Sequence, residues 1–152
     1  MNKAYAEQNA IVRQRLFMLA AKLTDADLSL RMANGWSVTT KLAHLAFWHR
    51  YYLGLITEWE RTGFSVSPAK VAAINEAVRM LSEAIPGKAV IEIVQAAAEA
   101  IDRKLEQLGS GLEAAIEASG RVRILCRAMH RREHLDQIEE ALVNTNAPDA
   151  VR

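Results

Sequence analysis

Apolar residues recur at intervals of three and four along most of this chain, and the stretches that keep the interval are long enough for helices. Over residues 2–23, Tyr5, Val12, Leu16, Leu19, Ala20 and Leu23 fall on one stripe and predict a first helix. Thr24-Asp25-Ala26-Asp27 offers a stop and a short cap-led turn, and Asn34-Gly35 marks a break. A second helix is predicted over 38–61, where Leu42, Leu45, Ala46, Trp48, Tyr52, Leu55, Ile56 and Trp59 form a broad stripe. Ser37 and Thr39 are both acceptable N-caps for it, although the Glu or Gln of a capping box is absent, and Thr62-Gly63 ends it. A crossing loop over 64–68, a shorter helix over 71–83 and a closure at Ala84-Ile85-Pro86-Gly87 follow. The third long helix spans 88–108, with Ile91, Val94, Ala98, Ile101, Leu105 and Leu108 in register. Beyond Gly109-Ser110-Gly111, residues 112–118 add another turn or two, and a fourth long helix runs over 120–143 before a frayed tail at 144–148.

No strand-like alternation competes with these periods. Four long amphipathic helices with a long connection between the second and third describe an all-α fold, a four-helix bundle, in which metal sites are commonly built from side chains on facing helices. The 152 residues suit a single domain spanning 1–152. Helix 2 carries more apolar surface than one core face needs, with Phe47, Tyr51 and Trp59 left over, which predicts a homodimer.

Charge changes this picture little. Nineteen Lys and Arg against eighteen Asp and Glu leave a formal charge of +1, so no whole-molecule field selects nucleic acid or a membrane surface, and a small-molecule substrate is the expected partner. Cys126, the single cysteine, falls within the apolar pattern of the last helix and reads as a buried small hydrophobe. With no secretory leader pattern and no apolar run long enough for a membrane span, the expected location is the cytoplasm.

The chemistry gathers in His130-Arg131-Arg132-Glu133-His134. Histidines four residues apart lie about 40° from each other around a helix, one turn up the same face, so both imidazoles can converge on one ion. A catalytic metal usually takes three protein ligands and keeps a position open, and His44, inside the second helix, is the candidate third. Three imidazoles buried together without an ion would leave polar groups unsatisfied. His49 follows His44 by five residues, about 140° round the helix, and is expected outside the site. Glu133 reads as a solvated charge alongside Arg131 and Arg132, or as an acceptor for an imidazole N–H.

Trp36-Ser37-Val38-Thr39-Thr40-Lys41-Leu42-Ala43-His44-Leu45, taken with His130-x-x-x-His134, resembles the signature of the DinB/YfiT-like superfamily, in which a tryptophan opens helix 2 and a histidine about two turns later binds metal. The resemblance implies a divalent-metal site, zinc or nickel, held by His44, His130 and His134. It also implies a low-molecular-weight thiol as cosubstrate, by likeness to mycothiol-dependent maleylpyruvate isomerase and to bacillithiol- or mycothiol-dependent S-transferases. The chain departs from the isomerase in having a histidine where that enzyme has a glutamate ligand, and that enzyme's additional C-terminal domain is not expected here. His44-Leu45-Ala46-Phe47-Trp48-His49 with Trp59 is similar to the ClbS/DfsB-like branch as well. The first expectation is therefore a metal-dependent transferase or hydrolase, and its rival a helical bundle that binds a partner without chemistry. Trp36, Trp48, Tyr51, Tyr52 and Trp59 fit either a pocket mouth or a core.

Overall fold

The computed structural model describes residues 2–146, so the end of the expected tail, Ala147-Pro148, lies outside the described residues. Eight helices occur among them: α1 Lys3–Ala20, α2 Asp25–Ser29, α3 Val38–Thr62, α4 Val71–Ser82, α5 Ala89–Glu106, α6 Ser110–Ala118, α7 Val122–Leu125 and α8 Arg127–Asn146. The four long ones close a ring, α1 packing on α5 and α8, and α3 on the same two. This is the all-α bundle predicted from periodicity, and α4 lies in its long α3–α5 connection, against α3. None of the helices among the described residues is long and apolar enough to cross a membrane.

Local chemistry sets most boundaries. Thr24 and Asp27 form a reciprocal capping box at α2, the Thr24 hydroxyl accepting from the Asp27 N–H and the Asp27 carboxylate from the Thr24 N–H. At α3 the Ser37 hydroxyl accepts from the Thr40 N–H at 3.0 Å. The same helix ends where Gly63, at φ 88°, takes a conformation that other residues rarely adopt, and its N–H returns to the Trp59 carbonyl.

The expected fourth helix over 120–143 is instead two, broken at Cys126. The cause lies at the other end of the chain. Asn9 of α1 donates from Nδ2 to the Leu125 carbonyl at 2.9 Å and accepts the Ala128 N–H on Oδ1 at 2.8 Å, so one buried side chain satisfies groups on both sides of the break. Cys126 is buried, as expected.

Two apolar clusters form the interior. One contains Val12, Leu16, Leu42, Leu45, Val94, Leu135 and Ile138, and the other Ile56, Trp59, Ile101, Leu105 and Leu125. Trp59, expected as surplus for a dimer face, is thus core, packed on Phe64 at 4.8 Å between ring centroids, because its position continues the inward stripe of Ile56. Phe47 and Tyr51 remain half-buried.

Between the clusters along α3 and α5 sits a polar layer centred on Arg131, which the sequence placed in solvent and which is 0% exposed. Its guanidinium makes five hydrogen bonds: Nε to His49 Nε2 at 2.9 Å, Nη1 to Asp102 Oδ2 at 2.9 Å and the Asn9 carbonyl at 3.2 Å, Nη2 to Asp102 Oδ1 at 2.7 Å and the Ala98 carbonyl at 3.2 Å. A guanidinium has five N–H donors, and every one is used. Arg13, partly exposed, adds a second cation on Asp102 at 2.9 Å.

Removing one partner of a buried ion pair leaves the other charge uncompensated, so Asp102→Ala should cost about 3–5 kcal/mol in chemical denaturation. Asp136→Ala, which breaks a solvent-exposed pair with Arg15, should cost less than about 1 kcal/mol. Comparable losses for the two variants would contradict the role given to the buried layer.

Candidate metal centre

His44 comes from α3, and His130 and His134 from successive turns of α8. The packing of α8 on α3 brings the three together: His130 Nε2 lies 3.3 Å from His44 Nε2 and 3.0 Å from His134 Nε2, and the ligand atoms all fall within 4.8 Å of one another. Donors about 2.0–2.1 Å from a tetrahedral zinc ion stand about 3.3 Å apart, so this separation suits one ion. His44 and His134 are buried, and His130 is partly so.

Every imidazole in the group is held toward its neutral form, the form that ligates. Burial pushes His44 down to about 3, assisted by His134, Lys41 and Arg127. Burial also lowers His130, with Arg127 as the next cause, and lowers His134 against the opposing effect of its bond to Gln137.

The outer nitrogens differ. His134 Nδ1 is 3.0 Å from Gln137 Oε1, an acceptor, so it carries the proton and leaves Nε2 free as a ligand. His44 Nδ1 is buried without a partner. His130 Nδ1 faces Arg127 Nη2 at 3.0 Å. A guanidinium only donates, so Nδ1 accepts there and the ring's proton sits on Nε2, among the other two imidazoles. A neutral His130 giving its Nε2 lone pair to an ion carries that proton on Nδ1, where Arg127 already points a donor. The donor set therefore fits a divalent ion on condition that the Arg127 guanidinium leaves His130.

The remaining expected residues stand elsewhere. His49 lies outside the group, accepting from Arg131 in the polar layer, its ring centroid 6.5 Å from that of His130. Glu133 is a surface charge, as expected, paired with Arg123 at 2.6 Å and not bonded to an imidazole; Arg132 beside it is exposed too, and of the three only Arg131 is buried. Gln137 and Arg127 occupy the outer positions considered for it. Both were legible in principle, since each stands three residues from a histidine on the same helix face.

A cavity of about 340 Å³ opens beside the imidazoles, bounded also by Trp48, Tyr52, Asn75 and Arg127. That is small-molecule size. Asn75 of α4 accepts from Trp48 Nε1 at 3.0 Å, which fixes the indole as one wall.

A family profile described as the DinB superfamily matches residues 8–138. No curated protein and no solved structure matches the chain.

Burial gives the metal-free protein a defined response to acid. His49 is pushed well below the ordinary 6.5, first by burial and then by Arg131, and the three clustered histidines are lowered too. Above pH 6.5 both folded and unfolded chains hold these groups neutral and nothing is lost. Below it the unfolded chain binds protons that the folded chain refuses, so stability falls with pH, by up to about 1.4 kcal/mol per pH unit for a histidine held well below that range, as His49 is. Denaturation of metal-free protein between pH 7 and 5 should show this loss, and His49→Gln should reduce its slope by about one proton. A flat profile across that range would contradict the burial assigned to the histidines.

Proposed function

Because this chain belongs to the DinB superfamily and brings His44, His130 and His134 to one point beside a cavity, we propose that it is a metal-dependent enzyme of the thiol S-transferase or hydrolase type. The observation that carries this reading is the convergence of three Nε2 atoms from two helices at near-ligand spacing. His44, His130 and His134 would hold one divalent ion, zinc or nickel. Bound there, the ion would supply positive charge that lowers the pKa of a water or a low-molecular-weight thiol at its open position.

The chain's own residues do the rest. Gln137 fixes the tautomer and ring orientation of His134. Trp48 and Tyr52 wall the cavity beside the imidazoles. The cavity favours this reading over an ion of purely structural role, which would leave no room for a reactant. Self-association through the half-buried Phe47 and Tyr51 is a separate proposal, since Trp59 no longer contributes.

Protein purified without an affinity tag should carry one equivalent of zinc or nickel by elemental analysis. His44→Ala, His130→Ala and His134→Ala should each lower metal affinity by at least about tenfold, while His49→Gln, which keeps an acceptor for Arg131, should leave it nearly unchanged. Acid should strip the ion only well below pH 6.5, because protons compete poorly for imidazoles whose basicity is already depressed. Equal metal content in the wild type and the three alanine variants would leave the non-catalytic bundle standing. Light scattering that returns a monomer mass at high concentration would dispose of the dimer.

A further inference from the structure

Arg127 and Arg131 stand one turn apart on α8, and both are buried, at 2% and 0% exposure. Their charges meet opposite fates. Arg131 pairs with Asp102, whereas Arg127 has no carboxylate within ion-pair distance among the described residues. Its Nη1 donates to the Arg123 carbonyl at 2.8 Å, its Nη2 leans on His130 Nδ1, its Cζ lies 4.7 Å from the Tyr52 ring centre, and its Nε is buried without a partner. A buried cation with no counter-charge is costly to keep.

The surroundings offer it little relief. Arg123 and Arg127 both line the cavity, Lys41 lies close enough to depress His44, and Glu133, the carboxylate on that wall, is already taken by Arg123. An ion on the three histidines would add further positive charge and, by moving the His130 proton to Nδ1, would expel Nη2 from its present contact. Nε and Nη2 form the side of the guanidinium that grips a carboxylate or phosphate with two parallel hydrogen bonds. One of those donors is idle and the other is released when the site fills.

We propose that the cavity takes a substrate bearing an oxyanion, a carboxylate or a phosphate, which Arg127 holds through Nε and Nη2 beside the three histidines. This deepens the reading of the same site, resting on it for the chemistry but not for the binding test.

The test titrates acetate and methylphosphonate calorimetrically into metal-free and zinc-loaded protein at constant ionic strength, with chloride as the balancing salt. Wild type should bind at least one of the two anions, more tightly when zinc-loaded, and the tighter anion identifies the source, planar carboxylate or tetrahedral phosphate. Arg127→Met should weaken that binding by at least about tenfold, and Arg127→Lys, which keeps the charge without the two-pronged face, should fall between. Arg127→Met should also bind zinc at least as tightly as wild type and unfold at a higher temperature without anion, because a costly buried charge has gone; a purely structural arginine would give the reverse of both. If Arg127→Met does not fold, Arg127→Lys carries the comparison. Anion binding unchanged in the Arg127 variants, or absent from the wild type, would overturn the proposal. Failure of zinc to bind, with anion binding intact and Arg127-dependent, would remove the metal reading and leave this one.

Discussion

One side chain sets the terms for this bundle. Arg131 is wholly buried and satisfies all five donors on α1, α3 and α5 at once. A buried guanidinium is costly unless each N–H is met, so keeping all five bonds allows α8 few rotations about its axis and few heights along it. His130 and His134 lie on the same turns, and their direction toward α3 follows from the way Arg131 is held. Apolar packing alone would permit several registers of similar energy; the polar layer selects one.

The same layer makes sense of the contrast between neighbouring arginines. Arg131 has a carboxylate, five acceptors and no access to solvent, and its work is architectural. Arg127 has the burial without the compensation, at the wall of a cavity. Such an arrangement costs stability, which the proposed hold on an oxyanion would offset.

The long helices were legible because apolar residues recur at threes and fours along them, and the ends of α3 and the start of α2 because Ser37, Gly63 and the Thr24–Asp27 pair carry local capping chemistry. His130 and His134 were legible as a pair from spacing, element order brought His44 within reach, and the resemblance to the superfamily signature linked all three. Arg131 was misread because a run of charges resembles a solvated face. Its position nevertheless falls on the stripe of Leu135 and Ile138, as Asp102 falls on that of Ala98 and Leu105, and Asn9 on that of Val12 and Leu16. Polar residues at apolar register positions announce a buried network, yet no single stripe says which helices will pair. The break at Cys126 was invisible for a stronger reason: its cause is a side chain more than a hundred residues away.

That distant bridge makes the fold non-local in time as well as in space. Asn9 decides where α8 begins through bonds that span 116 and 119 residues of chain. Closing such a loop is entropically costly and comes late relative to the helices themselves. A growing or partly unfolded chain can therefore hold α3, with His44, in helical form while the segment carrying His130 and His134 has neither its starting point nor its phase. The histidines meet only when the first helix and the last have found each other, so their cluster reports on completion of the whole bundle rather than on any part of it.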